Sequence, residues 1–210
     1  MEISGKKVLE YIIERVQQVY PLEKIVLATS NEKSDSPIAA FARAYGVKLY
    51  RGSLENVSRR FYTAAKEQNW DYAVRINGDN VFLDTQLLRD LTHIILENKY
   101  DFISNVKGRT FPKGMSIEIV KLEHYEELLP MIEVDISYKE HVTLYLYEHE
   151  IKDSYHFVMN TLLPEAAGIQ MALDTKEDFE RSDKIIQKFT KDHYKYNLTE
   201  IFTLLQSIKR

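Results

Sequence analysis

Residues 72–80, Tyr-Ala-Val-Arg-Ile-Asn-Gly-Asp-Asn, join an apolar stretch to a polar turn. The apolar part predicts a strand over 72–76, of the kind that lies between two helix layers in a parallel sheet. The glycine of Asn77-Gly78-Asp79 allows the backbone to come close to a ligand, and a carboxylate follows it at the end of the strand. The stretch therefore predicts an α/β protein with a candidate ligand site at Asp79.

Asp79 has two interpretations at this point. Mg²⁺ is usually held in proteins by one or two carboxylates together with substrate phosphates, and Asp79 is placed to be one of these carboxylates. The alternative is that Asp79 only shapes the turn by capping Asn80 or the next helix. The segment alone leaves both interpretations open.

Strands and helices alternate around this stretch. The first half predicts further strands at 24–29, 47–50 and 101–104, and helices at 8–19, 37–46, 54–66 and 85–97. Such alternation implies a mostly parallel sheet with helices on both faces. Ligands bind beyond the carboxyl ends of strands in these sheets, so the loops of interest are Thr29–Ser36, Arg51–Ser53 and Asn77–Asp84.

The second half of the chain is less regular. It predicts strands at 117–120 and 168–174 and helices at 138–150, 176–189 and 198–208. The strand that begins at Gly168 ends in Asp174, which by the same reasoning supplies a second carboxylate. The alternative is that this segment simply begins a helix capped by Thr175, with acidic residues in its first turn. No linker or repeat is visible, so one domain over 1–210 is expected, with an excursion at about 105–165.

Composition excludes several classes of protein. The net charge is −4, from 28 basic and 32 acidic residues, and without a basic stripe it gives no reason to expect nucleic acid. The chain has no cysteine, which excludes disulfides, a thiolate nucleophile and a Cys-ligated zinc site. No apolar run resembles a signal peptide or a membrane span, so the expected location is the cytoplasm.

Other catalytic motifs are missing. The sequence contains no P-loop, no Gly-x-Gly-x-x-Gly, no His-Glu-x-x-His and no Gly-x-Ser-x-Gly. His141 and His149 could share a helix face with Tyr145, although a core or surface role is commoner for histidines. The tyrosines of the excursion suit a sugar platform or a subunit interface, and core packing is the simpler account for most of them.

Six segments with fitting spacings carry a family resemblance. They are IVLATS (25–30), RGSLENV (51–57), RINGDNVFLD (75–84), FPKGMSIE (111–118), EHVT with YEH (140–143, 147–149) and LDTKED (173–178). Each is weak alone, but together they resemble the cytidylyltransferases of the spore-coat polysaccharide type, akin to CMP-Kdo and CMP-acylneuraminate synthetases. The resemblance covers nearly the whole chain to about residue 185.

The resemblance implies a three-layer, GT-A-like nucleotide-diphospho-sugar transferase fold. The implied reaction transfers CMP from CTP to an acidic or related sugar in cell-surface polysaccharide biosynthesis and releases pyrophosphate, and the implied assembly is a homodimer. Asp79 and Asp174 would be the catalytic, Mg²⁺-binding residues. The residues expected near the nucleotide are Ala28, Thr29, Ser30, Arg51, Gly52, Ser53, Arg75, Asn77 and Gly78. Those expected to face the sugar or the partner subunit are Lys113, Glu118, Glu140 and His141.

The N-terminus departs from the family pattern. The family opens with a strand and a loop resembling A-R-x-x-S-x-R-L-P-G-K, whose amides and basic side chains cradle the triphosphate. Residues 1–11 match the segment just after that loop. The resemblance therefore implies that the cradle and a central strand are missing, which leaves two neighbouring strands without ladder partners.

Two other functions stay open. A chain without the phosphate cradle could be a non-catalytic pseudoenzyme or binding module on the same fold. It could also be a glycosyltransferase of related fold, although residues 77–80 have a single Asp where those enzymes usually show Asp-x-Asp.

Overall fold

Helices and strands alternate through the first half of the chain, as the sequence predicts. The computed structural model describes residues 1–208. Its strands are β1 (Glu2–Ile3), β2 (Lys6–Lys7), β3 (Val26–Ser30), β4 (Lys48–Gly52), β5 (Tyr72–Arg75), β6 (Phe102–Ser104), β7 (Glu118–Lys121) and β8 (Tyr155–Phe157). Its α-helices are α1 (Val8–Val16), α2 (Ser36–Tyr45), α3 (Val57–Lys66), α4 (Thr85–Asn98), α5 (Leu122–Ile132), α6 (Ile136–Glu140), α7 (Leu144–Glu148), α8 (Lys176–Ile186) and α9 (Leu198–Ile208).

The strands form three separate sheets. A small antiparallel hairpin joins β1 to β2, and β3 pairs with β4 in parallel. The four-stranded sheet has the order β5-β7-β6-β8. In it β7 is antiparallel to both β5 and β6, and β8 is parallel to β6, so three of the four strands share one direction.

Helices cover both faces of the four-stranded sheet. Neighbouring strand residues point to opposite faces, and in β6 both Phe102 and Ile103 are 0% exposed. Phe102 packs with Tyr125 of α5 on one face, whereas Ile103 packs with Leu91 of α4 on the other. This three-layer arrangement confirms the predicted fold class.

Two buried polar side chains fix the helices around the candidate site. One carboxylate oxygen of Asp84 caps α4 by accepting from the backbone N–H groups of Gln86 and Leu87, at 2.9 and 3.1 Å, and the other accepts from Leu198 N of α9 at 2.8 Å. The guanidinium of Arg15 donates to three backbone carbonyl oxygens, those of residues 83, 193 and 196. Because Arg15 is fully buried, burial lowers its pKa to about 10. These contacts join α1, α4 and the C-terminal helix into one unit.

The predicted helix at 138–150 is wrong, because it is broken into α6 and α7. His141 between them has φ −100° and ψ 87°, outside the helical region. Tertiary hydrogen bonds hold this turn: Tyr125 Oη donates to Val142 O at 2.7 Å, and Thr143 Oγ1 donates to Glu118 at 2.5 Å. His141 and His149 therefore do not share one continuous helix.

The predicted strand at 168–174 is reduced to a single bridge between Lys113 and Gln170. Lys113 N donates to Ile169 O, and Met171 N donates to Lys113 O, both at 2.9 Å. The neighbouring Gly114 has φ +89°, and a Cβ there would lie 2.4 Å from the Ala172 nitrogen. Only glycine permits this close crossing of the two segments.

No helix among residues 1–208 is both long and apolar enough to cross a membrane.

Candidate active site

The Asp79 carboxylate lies in a turn that is closed by hydrogen bonds between backbone groups. Backbone bonds close the turn, from Asn80 N to Asn77 O at 3.2 Å and from Val81 N to Asp79 O at 3.0 Å. The buried Asn80 side chain donates to Ser116 O at 3.1 Å. The cap of the following helix is Asp84, so the alternative role of Asp79 as a helix cap is not what the structure shows.

One oxygen of Asp79, Oδ1, is buried and has no hydrogen-bond partner among the described residues. Burial raises the pKa of Asp79, and the Asp174 carboxylate raises it further. The backbone N–H of Asp79 and the Arg75 guanidinium act in the opposite direction. A partly buried carboxylate with one unpaired oxygen, whose charge a second carboxylate repels, costs stability, so the arrangement fits a cation more than a structural role.

Asp174 stands just before helix α8. Thr175 caps that helix, since its Oγ1 accepts from Asp178 N at 3.2 Å and Asp178 accepts from Thr175 N at 2.9 Å. The cap that the sequence predicted at Thr175 is thus confirmed, and it leaves the Asp174 carboxylate exposed. That carboxylate accepts one bond, from Gln170 Nε2 at 2.7 Å.

Residues from distant parts of the chain gather near Asp174. The bridge between Lys113 and Gln170 brings the predicted substrate-binding Lys113 to this side. Arg181 of α8 donates to Gln170 O at 2.8 Å. Gln170 and Arg181 were not predicted as site residues, because their placement depends on the crossing of two segments 57 residues apart in sequence (170 minus 113).

The two carboxylates could hold a divalent metal only with help from a substrate. Within residues 1–208 no group of three or more His, Cys, Asp or Glu side chains is placed to hold a metal ion. A pair of carboxylates completed by phosphate oxygens and water is nevertheless an ordinary Mg²⁺ environment. The residues present therefore fit Mg²⁺ bound together with a nucleotide.

Arg75 is held at the end of β5 by a buried network. It pairs with Glu118, its register partner on β7. Glu118 is 3% exposed, and it also accepts from Thr143 Oγ1 at 2.5 Å and from Tyr147 Oη at 2.7 Å. Glu118 is expected to face the sugar or the partner subunit; in the structure its carboxylate oxygens bind Arg75, Thr143 and Tyr147. Its visible role is to orient Arg75 and to hold the turn before α7.

Two of the other residues expected to face the sugar or the partner subunit, Glu140 and His141, lie on that turn. Glu140 ends α6 and His141 follows it, and both side chains are exposed. Neither is part of the network around Glu118, which reaches the turn through Thr143.

The carboxyl end of β3 bonds both to the loop that follows it and to the end of β4. Thr29 Oγ1 and Ser30 N donate to Asp35 at 2.7 and 2.9 Å, and Arg51 Nε donates to Ser30 O at 2.8 Å. Gly52 O accepts from Asn31 N at 2.9 Å. Asp35, which organises this loop, was not predicted as a functional residue.

Three of the other residues expected near the nucleotide line a cavity between two sheets. A fourth, Ser53, lies away from that cavity. Ala28, Asn77 and Gly78 line the same cavity between β3 and β5. Ser53 lies ahead of α3, where its Oγ accepts from the N–H groups of Glu55 and Asn56 at 3.2 and 3.1 Å. The structure thus places Ala28, Asn77 and Gly78 on one cavity, and it places Asp79 near enough to Asp174 for the two charges to interact.

Comparisons with known proteins agree with this architecture. The spore coat polysaccharide biosynthesis protein SpsF of Bacillus subtilis is 27% identical over 209 residues, which cover 97% of this chain and 85% of SpsF. The solved cytidylyltransferase of Leptospira borgpetersenii superposes with a TM-score of 0.91 at 26% identity, over 100% of this chain and 87% of that one. A CMP:2-keto-3-deoxy-manno-octonic acid synthetase, solved with CTP, superposes with a TM-score of 0.65 at 13% identity, over 90% of each chain, and shows the shared fold.

A family model settles the classification. The model described as cytidylyltransferase matches residues 1–205, which is nearly the entire chain. The chain is a member of the cytidylyltransferase family.

Proposed function

We propose that this protein transfers CMP from CTP to an acidic or related sugar and releases pyrophosphate, with Mg²⁺ held by Asp79 and Asp174. The observation that carries the proposal is the buried Oδ1 of Asp79, which has no hydrogen-bond partner within residues 1–208; the pKa of Asp79 is raised by burial and by Asp174. Family membership supports the use of CTP. The likeness to SpsF supports a role in polysaccharide biosynthesis.

The reaction needs charge stabilisation more than covalent chemistry from the protein. A sugar hydroxyl oxygen bonds to the α-phosphorus of CTP, the bond from that phosphorus to the bridging oxygen breaks, pyrophosphate leaves and the hydroxyl proton is lost to solvent. Bound Mg²⁺ supplies positive charge to the phosphate oxygens. The two aspartates would hold the ion, and Arg75 lies at the end of β5, where it is paired with Glu118.

Gly78 supports a ligand beside Asp79. Its φ is not in the left-handed region, and a Cβ at this position would meet only Leu9 Cδ2, at 3.8 Å. The fold therefore does not require glycine here, whereas a ligand that approaches the backbone does. Gly78→Ala is accordingly a variant that separates ligand binding from folding.

A homodimer is part of the same proposal. Val134 and Ile136, in the excursion, are 83% and 78% exposed. Exposed aliphatic side chains of this kind are typical of the core of a subunit interface.

A binding module without catalysis is the second candidate, and the two predicted nucleotide-side arginines favour it. The Arg51 guanidinium donates to the carbonyls of Ser30 and Glu32, both at 2.8 Å, and Arg75 pairs with Glu118. Both cations are thus already engaged within the protein. This candidate predicts binding of Mg²⁺ and CTP without turnover.

The test measures CTP binding by calorimetry and pyrophosphate release across a panel of sugar acids, with and without Mg²⁺. The proposal expects Mg²⁺-dependent release with CTP, and much less with ATP, GTP or UTP. It also expects Gly78→Ala to weaken CTP binding at least tenfold with an unchanged melting temperature. Binding without release for any acceptor selects the binding module, and no CTP binding at all rejects both.

A further inference from the structure

A row of polar side chains crosses one end of the four-stranded sheet. Glu118 of β7 has Arg75 of β5 and Ser104 of β6 as its register partners, and it forms an ion pair with Arg75. Ser104 is 0% exposed and Glu118 is 3% exposed. Strands β5 and β6 run in the same direction and end at Arg75 and Ser104, so the row lies at the edge of the sheet where ligands bind in α/β proteins. The turn that carries Asp79 begins at the same edge.

The hydrogen bonds of Glu118 have one possible direction. A carboxylate only accepts, so Thr143 Oγ1 donates to its Oε1 at 2.5 Å and Tyr147 Oη donates to the same oxygen at 2.7 Å. The single hydroxyl proton of Tyr147 is then used, so Tyr147 Oη accepts from Ser104 Oγ, 2.6 Å away. Ser104 Oγ in turn accepts from Val106 N at 2.9 Å. Each hydroxyl group therefore has a single orientation, and the network holds its members in one arrangement.

Thr143 does not use its hydroxyl group for its own helix. It occupies the N-cap position of α7, where a threonine oxygen commonly accepts from the free N–H groups of the first turn. Here the side chain makes no capping bond, and the hydroxyl group donates to Glu118 instead. The Thr143 hydroxyl group therefore serves a tertiary contact, to a residue 25 positions earlier in the sequence.

The same contact fixes a turn with two exposed side chains. Glu140 and His141 are exposed. The two residues that follow them, Val142 and Thr143, are 2% and 5% exposed, and Val142 O accepts from Tyr125 Oη at 2.7 Å. The buried half of the turn is thus held by side chains of the sheet and of α5, while the exposed half carries a carboxylate and an imidazole. Exposed polar groups on a rigidly supported turn are suited to contact a ligand.

We propose that Thr143 is a positioning residue for the acceptor sugar: through its bond to Glu118 it fixes this turn at the sheet edge that carries Asp79. The inference rests on the proposed function, because it requires an acceptor in the site. The Glu140 carboxylate can accept from a sugar hydroxyl group, and the His141 imidazole can donate to one or accept from one. Because like charges repel, the turn receives hydroxyl groups of the acceptor and not its acid group.

A purely structural role for Thr143 makes a different prediction. Loss of a hydrogen bond to a buried carboxylate lowers stability whether or not the turn contacts a substrate. The positioning role adds a loss that is specific to the acceptor. CTP and Mg²⁺ should bind as before, because Asp79 and Asp174, which are proposed to hold the ion, lie in other segments of the chain.

The experiment compares substitutions at both ends of the sheet. Thr143→Val removes the hydroxyl group and Thr143→Ser keeps it. Tyr147→Phe removes the second hydroxyl group from the same Glu118 oxygen, should act in the same direction as Thr143→Val, and replaces it if that variant does not fold. The matched control is Tyr155→Phe, which removes a buried hydroxyl group 2.7 Å from His124 Nε2 at the opposite end of the sheet, where β6 begins.

Three measurements separate the two roles. Calorimetry gives the melting temperature and the Kd of CTP with Mg²⁺. Pyrophosphate release gives kcat and KM for the sugar acid that the wild-type chain uses best. Hydrogen–deuterium exchange follows the amides of Leu144 and Leu146, which donate to His141 O and Thr143 O at 2.9 and 3.1 Å.

Thr143→Val should lower kcat/KM for the acceptor by about tenfold or more, mainly through KM, and leave the Kd of CTP within about twofold. It should also speed exchange at both turn amides. Thr143→Ser should restore kcat/KM to within about threefold of the wild-type value. Tyr155→Phe should lower the melting temperature by about 2–4 °C without changing kcat/KM or exchange at the turn.

Four results overturn the inference. They are an unchanged acceptor kcat/KM in Thr143→Val, unchanged exchange at the turn, an equal kinetic loss in Tyr155→Phe, and CTP binding weakened by the same factor as kcat/KM. The third would make the effect one of stability, and the fourth would assign the network to the nucleotide. Failure of the proposed function looks different, because the wild-type chain then releases no pyrophosphate with any acceptor, and the positioning role falls with it.

Discussion

Replacing Asp79 by asparagine should make the metal-free protein more stable and the Mg²⁺·CTP-bound protein less stable. In the absence of metal, the buried Oδ1 has no hydrogen-bond partner in the part of the chain that the structure describes, and Asp174 repels the negative charge. The pKa of Asp79 is therefore higher in the folded than in the unfolded chain. The sign follows from linkage: a raised carboxyl pKa favours folding below the unfolded pKa, and at pH 7 the ionised group costs its full amount of stability.

The expected change in the free energy of unfolding follows from the burial of the Asp79 carboxylate. An unsatisfied buried polar group costs about 1–3 kcal/mol, and more when it is charged. Asparagine keeps a polar atom at this position and removes only the charge, and Asp79 is only partly buried, so the lower end of the range applies. Asp79→Asn should thus raise the free energy of unfolding by about 1 kcal/mol without metal, or the melting temperature by roughly 2–4 °C for a chain of this size. With Mg²⁺ and CTP the variant should lose most of the stabilisation that ligand binding gives, which is about 2.7 kcal/mol at a hundredfold excess over Kd.

The assay is urea unfolding at pH 7, once with EDTA and once with saturating Mg²⁺ and CTP. Glu97→Gln removes the same charge from an exposed position on α4 and should change neither curve by more than about 0.5 kcal/mol. The reasoning fails if Asp79→Asn is destabilised in EDTA, because Oδ1 would then have a stabilising partner. It also fails if the variant keeps the full Mg²⁺-dependent stabilisation.

Two further predictions concern the groups that hold the site together. Arg15→Met removes the charged donors from three buried carbonyls, but it also removes the cost of burying the charge. The net effect should be a free energy of unfolding lower by about 3 kcal/mol. A loss below about 1 kcal/mol in urea unfolding would contradict this. Hydrogen bonds from Ser30 and Thr29 hold the pKa of Asp35 down to about 2, so its contribution to stability is present above the ordinary value of 3.8 and is lost as the pH falls toward 2. Asp35→Asn should therefore flatten the acid side of the stability curve between pH 4 and 2, and an unchanged slope would reject that role.

Local signals in the sequence determined the individual elements of the first half. Helix α4 was predicted at 85–97 and spans 85–98, because its cap at Asp84 and its apolar repeat of Leu88, Leu91 and Ile95 all lie within a dozen residues. Gly46 likewise marks the end of α2 with φ +82°. Such signals act between neighbours in the chain and can be read without knowing the fold.

The second half was predicted less well, and much of its structure depends on contacts between distant segments. Helix α5 (Leu122–Ile132) was missed, although four of its buried side chains pack as one face of the core. The break at His141 depends on bonds to Glu118 and Tyr125, and the loss of a regular strand near Gln170 depends on its crossing with Gly114. These interactions join segments far apart in sequence, and no local pattern contains them.

The sequence by itself determined the α/β class, the family resemblance and the choice of Asp79 and Asp174 as carboxylates at the ends of predicted elements. Only the tertiary structure decided that Asp79 Oδ1 has no hydrogen-bond partner among the described residues, and that Arg75 and two hydroxyl groups bind the Glu118 carboxylate. It also decided that β3 and β5 line one cavity. The physical reason is that residue type and spacing fix what a side chain is able to bind. Which of its partners is present is fixed by packing between distant segments.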